Sequence, residues 1–283
     1  MVGIGRGVVA LAVVVCVAQM AWGAPLVGAS ANTLPQGGFM IDTWAVWKDY
    51  TRIYVSEEDG WEDLPNGSKL QAASFVPRLY YGVTDWLTVR ASLPLEHRFR
   101  SLSEYEDGED SAAGLGDIVV DPKIQIIRAK EGYPRIALLA GVQFPTGDTE
   151  SEPRLSDGST DFLVGAAVTH RVGDVTGHAY MTRWLNGESE DGADVKDLWI
   201  GCLSIETPVS EHWTLLWEGK AYAGETPADF YRVYLCPGLS WSDGRRVTVG
   251  MSALVSAVAE GGGGISTVEY EWAPYLRFYY CFF

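Results

Sequence analysis

Apolar and polar residues alternate one by one along most of this chain, so the sequence predicts β-strands rather than amphipathic helices. In Trp86–Glu96, Leu87, Val89, Ala91, Leu93 and Leu95 share one face, while Trp86, Thr88, Arg90, Ser92 and Glu96 share the other. Arg246–Ala257 repeats the pattern, with Val247, Val249, Met251, Ala253, Val255 and Ala257 opposite Arg246, Thr248, Gly250, Ser252 and Ser256. Because successive side chains of a strand point to opposite faces, each such segment has one greasy side and one polar side. The same alternation marks Ile136–Phe144, Trp213–Trp217 and Tyr231–Trp241. It is weaker over Phe39–Lys48, Leu70–Tyr81, Asp117–Arg128, Thr160–Arg171, Val175–Leu185, Lys196–Thr207 and Val268–Phe283. The segments amount to about twelve strands, an even number of the kind single-chain bacterial barrels use.

The connections alternate too. Tight turns are expected at Thr84–Asp85, Glu131–Gly132, Gly173–Asp174, Ser210–Glu211 and Asp243–Gly244, each with turn-forming residues. Between them lie the longer stretches Thr51–Ser68, Arg100–Ala113, Thr146–Gly158, Asn186–Val195, Gly224–Ala228 and Glu260–Ser266. Short periplasmic turns alternating with longer extracellular loops are the mark of an outer-membrane barrel. The expected fold is therefore all-β: a transmembrane, antiparallel up-and-down β-barrel over residues 39–283, with both termini in the periplasm.

The beginning of the chain departs from alternation. Arg6 precedes an apolar run from Val8 to Ala18, followed by small residues around Ala21 and Gly23. That run is too short to span a bilayer and reads as a secretory signal peptide over residues 1–23. Residues 24–38 form a short extension, too small for a folded plug domain, which argues against a large energy-coupled receptor.

A soluble β-sandwich would also alternate. Against it stand the aromatics, drawn from 11 Trp and 14 Tyr, at strand ends such as Trp47, Tyr81, Trp86, Trp213, Trp241, Trp272 and Tyr280. Two interfacial girdles explain that placement. The carboxyl terminus, Arg277-Phe278-Tyr279-Tyr280-Cys281-Phe282-Phe283, resembles the terminal signal read by the barrel assembly machinery, although its apolar register runs through Tyr270, Trp272, Leu276, Phe278, Tyr280 and Phe282 rather than Phe283.

With the apolar faces against outer-membrane lipid, the polar faces line a lumen of mixed charge. The expected selectivity residues are Arg78, Arg90, Lys123, Arg135 and Arg232 opposite Asp42, Asp117, Asp121, Glu218 and Glu269, because facing rows of charge focus the field in a pore. Lys48, Gln143, Lys220, Arg246, Glu271 and Arg277 belong to the same face.

More specific motifs occupy the middle of the chain. Gly114-Leu115-Gly116-Asp117 opens one strand, Phe144-Pro145-Thr146-Gly147-Asp148 closes the next, and Ser156-Asp157-Gly158-Ser159-Thr160-Asp161 leads into a third. Their spacing resembles the outer-membrane protein family of the meta-cleavage pathway of phenol degradation, described as transporters. The resemblance implies an outer-membrane barrel of a Gram-negative bacterium that passes small molecules, aromatic or apolar compounds among them. It brings no catalytic residues. Physically, the glycines and Pro145 form turns, and Asp117 and Asp148 are placed to accept backbone hydrogen bonds.

Composition narrows the rest. A mean hydropathy of +0.01 excludes a bundle of membrane helices, and a net charge of −16 argues against nucleic-acid partners. Much of the acid clusters in the long loops, at Glu57–Asp63, Glu104–Asp110 and Glu188–Asp194, as solvated surface or as carboxylates that a divalent cation could bridge. Cys202, Cys236 and Cys281 lack metal-ligand spacing and read as small wall residues, with one disulfide left open. His97, His170, His178 and His212 fall in no H-E-x-x-H pattern, and no G-x-S-x-G occurs. No cofactor and no enzyme activity are expected. The leading reading is a passive channel for small solutes; the alternatives are a non-conducting barrel working through its acidic loops and, behind it, a barrel hydrolase whose triad only strand pairing would assemble.

Overall fold

The computed structural model describes residues 25–55, 60–64, 68–101, 109–128, 133–189, 197–224, 230–260 and 268–282. The expected signal peptide, Phe283, the Glu131–Gly132 turn and most of the acidic clusters lie outside the described residues. In chain order, β1 (Phe39–Tyr50) is followed by β2 (Arg52–Val55), β3 (Gly60–Asp63), β4 (Lys69–Thr84), β5 (Leu87–Ser92) and β6 (Leu95–Ser101). Then come β7 (Glu109–Leu115), β8 (Ile118–Ile127), β9 (Arg135–Phe144), β10 (Asp161–Val172), β11 (Val175–Leu185) and β12 (Leu198–Pro208). β13 (Trp213–Gly224), β14 (Phe230–Ser242), β15 (Val247–Glu260), β16 (Val268–Glu269) and β17 (Trp272–Phe282) complete the chain.

A 14-stranded antiparallel sheet runs from β1 through β17, β15 and down to β4, and β4 pairs back with β1, so the sheet closes on itself. β5 with β6, and β7 with β8, are each one wall strand interrupted, at Leu93-Pro94 and at Gly116-Asp117. The closed wall therefore has 12 strands. Proline removes a ladder donor, and the two interruptions lie side by side: Leu93 N donates to Pro77 O (2.9 Å) and Gly116 N to Pro94 O (2.8 Å). Closure satisfies the backbone of every wall strand without leaving an edge in lipid. β2, β3 and β16 form a separate three-stranded sheet beyond the outer ends of β1 and β4.

Alternation places the faces as expected. Leu79, Tyr81, Leu138, Val164, Met181, Leu203, Trp217, Leu235, Met251 and Leu276 all point outward and are exposed. Asp42, Thr88, Asp121, Thr169, His178, Glu218 and Arg277 point inward and are buried. On β17 the outward register runs through Trp272, Leu276, Phe278 and Phe282, whereas Tyr270, expected on that face, is buried in the interior. An apolar belt over a charged interior is the inverse of a soluble core. The central Leu203 on β12, 68% exposed, tests the assignment. Leu203→Arg is expected to cost about 2–4 kcal/mol, the midplane value for a cation on a lipid face, read from urea unfolding in lipid vesicles; a change near zero would place that face in water.

Candidate functional site in the barrel lumen

The residues before β1 enter the barrel. Although too few for a folded domain, Pro25–Gly38 run back up through the lumen, a route that sequence reading did not foresee. At the end of the barrel that carries the tight turns, Gly37 N donates to Gly82 O (2.8 Å) and Gln36 N to the Asp85 carboxylate (3.0 Å). Leu34 N donates to Thr88 Oγ1 (2.8 Å) and Ala31 N to Thr169 Oγ1 (2.9 Å). Deeper in, Val27 N donates to Glu218 Oε2 (2.9 Å), and the Arg277 guanidinium donates to the Leu26 (2.8 Å) and Pro25 carbonyls. Leu26 and Leu34 are fully buried. Leu26 belongs to one buried apolar cluster with Val46, Leu216, Tyr234, Cys236, Leu254, Tyr270, Ala273 and Tyr275, so the segment contributes to an apolar cluster inside the barrel.

Room for this segment is written in two inward positions. A Cβ on Gly250 would lie 2.2 Å from Leu26 Cδ2, and one on Gly82 would lie 2.0 Å from Pro35 O. A side chain at Gly82 would collide with the segment's backbone, and one at Gly250 would have to move the Leu26 side chain.

The lumen residues expected from sequence divide into groups. Asp42 sits on β1, where Arg78 is its direct partner in the β1–β4 register and Arg277 reaches it across the β1–β17 seam. Its carboxylate meets Arg78 Nη2 at 2.5 Å and Arg277 Nη2 at 2.9 Å, and accepts from the Tyr80 hydroxyl at 3.2 Å. Arg90 pairs with Asp121 at 2.6 Å. Lys123, Arg135 and Glu218 hold the inserted segment: Lys123 Nζ donates to Ser30 O (3.1 Å) and Arg135 Nη1 to Asn32 Oδ1 (2.6 Å). Arg232 stands on β14 opposite Tyr222 of β13. Glu269 stands apart from the wall: it pairs with Arg52 in the small outer sheet, because the chain before β17 leaves the barrel to join β2.

Asp117 stands at the strand interruption. Its carboxylate accepts from Thr146 N (3.1 Å) and Gly147 N (3.0 Å), while Thr146 Oγ1 donates to Gly116 O (2.8 Å) and accepts from Ile118 N (3.0 Å). Asp161 closes a neighbouring knot, accepting from Ser159 Oγ (2.7 Å), Gln143 Nε2 (2.9 Å) and Gly187 N (2.9 Å). The three sequence motifs thus fasten one another. They hold residues 145–160 against the β6–β7 hairpin, where Arg98 donates to Arg154 O (2.5 Å) and Arg100 pairs with Glu152 (2.6 Å).

One constellation resembles a triad. Thr169 Oγ1 lies 2.9 Å from His178 Nδ1, and His178 Nε2 lies 3.2 Å from Glu206 Oε1. All three residues are buried, and the Thr169 hydroxyl accepts the Ala31 N–H, leaving its proton for Nδ1. Through the Ala31 N–H the group is tied to the inserted segment. Cys202, Cys236 and Cys281 are free thiols. Among the described residues no group of His, Cys, Asp and Glu could hold a metal ion.

Beside the inserted segment runs a cavity of about 330 Å³. Arg246 and Thr248 line it at the end with the tight turns, and Lys48, Trp184, Ile200 and Tyr270 in the opposite half, the outer half in the expected orientation. A closed barrel with an apolar belt around a charged interior defines an outer-membrane β-barrel protein as its class. The family model described as "Putative MetA-pathway of phenol degradation" matches residues 28–265, and the chain belongs to that family. No curated protein sequence matches the chain. Among solved structures, an outer membrane channel from Pseudomonas putida F1 superposes with a TM-score of 0.74 at 15% identity, covering 89% of this chain and 98% of that one. The β domain of a Bordetella autotransporter gives a TM-score of 0.51 at 12% identity, covering 87% of this chain and 100% of the other. These likenesses are of fold.

Proposed function

We propose that the protein is exported by its signal peptide, is assembled in the outer membrane through its C-terminal strand, and passes small solutes passively, aromatic or apolar compounds among them. The observation that carries this reading is the cavity that passes the inserted segment and is lined from the periplasmic turns to the outer half of the barrel. The wall charges act as the selectivity elements, with Arg90 and Asp121 facing one another across β5 and β8. Residues 25–38 narrow the passage, so conduction requires them to shift.

Single-channel recording of the refolded mature chain in planar bilayers tests the proposal. Discrete openings are expected, and Arg90→Ala is expected to shift the reversal potential in a salt gradient toward cations, because Asp121 then faces the lumen without its partner. A folded barrel that stays silent, with and without residues 25–33, would overturn the channel reading. The filled lumen favours one second reading, a non-conducting barrel whose loops bind at the cell surface, and silence would move weight to it.

A further inference from the structure

The outer half of the lumen carries a charge that the channel reading does not use. The whole chain has a net charge of −16, yet among the described residues lining the cavity Asp121 is the only carboxylate, and Arg90 already neutralises it. Arg78 and Arg277 share Asp42. Lys48 on β1 and Lys220 on β13 have no such partner: among the described residues neither ammonium has a carboxylate within ion-pair distance. Both lysines line the same cavity, and Glu96, the carboxylate of neighbouring β6, is held by Arg98 at 2.7 Å. Two cations that converge on a low-dielectric cavity without a counter-ion are costly unless an anion joins them.

Rings surround this pair. Lys220 Nζ stands 4.8 Å from the Tyr222 ring centre and Lys48 Nζ stands 5.6 Å from that of Tyr270. The rings form a continuous run: Tyr222 meets Tyr234 edge-on at 5.9 Å, Tyr234 stacks on Tyr270 at 5.1 Å, and Tyr270 meets Tyr50 edge-on at 5.8 Å. Aliphatic wall would suffice for an inorganic anion, whereas ring faces and edges beside ammonium groups suit a planar aromatic ligand. We propose that Lys48 and Lys220, with the tyrosines between them, form a binding site for small aromatic carboxylates in the outer half of the lumen. The carboxylate is held by the lysine ammonium groups and the ring lies against the run of tyrosines between them. This inference rests on the channel reading for its purpose, since the site would collect solute on the outer side of the inserted segment, but its occupancy requires no conduction.

The test is equilibrium binding to the detergent-solubilised mature protein by calorimetry, with benzoate, cyclohexanecarboxylate and benzyl alcohol as probes. Benzoate is expected to bind tightest, and Lys48→Met with Lys220→Met to weaken it by about tenfold or more, the effect of losing a charge-assisted contact, while benzyl alcohol is unchanged. Single Lys48→Gln and Lys220→Gln variants serve if the double variant loses its heat-modifiable migration. Equal affinity for benzoate and benzyl alcohol, indifference of benzoate to the lysine variants, or no binding to the wild type would overturn the proposal. Equal affinity for benzoate and cyclohexanecarboxylate would overturn its aromatic part. Binding without conduction, with and without residues 25–33, would overturn the channel reading and leave this site standing; conduction without binding would do the reverse.

Discussion

Deleting Pro25–Thr33 is expected to raise single-channel conductance several-fold and to lengthen the open time. This segment presents backbone donors and acceptors to Glu218, Thr169, Lys123 and Arg277, and it buries Leu26 among wall side chains. Each hydrogen bond contributes about 0.5–1.5 kcal/mol, more where a charge takes part, and burying Leu26 contributes about 1.5–3 kcal/mol. Thermal opening against several such contacts is infrequent, so the intact protein should spend most of its time closed. Deletion leaves the wall groups able to bond water, and the closed sheet does not depend on the segment for any wall pairing. The variant should therefore keep the heat-modifiable migration of a folded barrel. Unchanged conductance in a folded deletion variant would mean that the segment does not obstruct the passage.

Neutralising Asp42 is expected to be the most destabilising single change in the wall. Its carboxylate has no solvent exposure and answers both Arg78 and Arg277, on the seam where the first and last wall strands meet. Asp42→Asn keeps the shape and leaves two guanidiniums with no counter-charge. Removing one partner of a buried ionic group costs about 3–5 kcal/mol, which should lower the midpoint of urea unfolding in lipid vesicles, followed by tryptophan fluorescence. Combining it with Arg78→Met should recover part of the loss, since one of the two orphaned charges goes with it. A loss below about 1 kcal/mol would show that lumen water screens the cluster as it screens a surface ion pair.

What was legible in the sequence follows from how local each signal is. The inward faces of Trp86–Glu96 and Arg246–Ala257 could be read because a strand's period of two fixes the side of every residue once one is known. Asp42, Arg78, Arg90, Asp121, Lys123, Arg135 and Glu218 follow from that rule. Glu269 and Tyr270 escaped it because the chain there bends out to join β2, and alternation carries no information about where a strand leaves the sheet. The roles of Asp117, Asp148 and Pro145 as turn chemistry were legible from residue type. That Asp117 and Thr146 clasp one another was not, since it depends on two interruptions lying side by side.

The inserted segment shows the limit most plainly. Residues 25–38 have no periodicity, and their partners Glu218 and Arg277 lie 191 or more positions away. Backbone groups make most of these contacts, so residue type hardly records them. The trace that exists is on the other side, in Gly250 and Gly82 at inward positions where a porin-like lumen would have accepted a side chain. Glycine inside a strand marks close approach of another chain segment.

The most direct test of a passage controlled by this segment uses a neighbour that nature supplied. A Cβ on Gly28 would lie 2.9 Å from the sulfur of Cys202, close to the ~3 Å that the S–S bond length imposes between a Cβ and its partner sulfur. Gly28→Cys should therefore form a disulfide that pins the segment to β12. Single-channel recording of this variant is predicted to show a closed barrel when oxidised and openings restored by reductant, with no such response in Gly28→Cys, Cys202→Ser. Openings that persist at full amplitude in the oxidised, cross-linked protein would contradict the account.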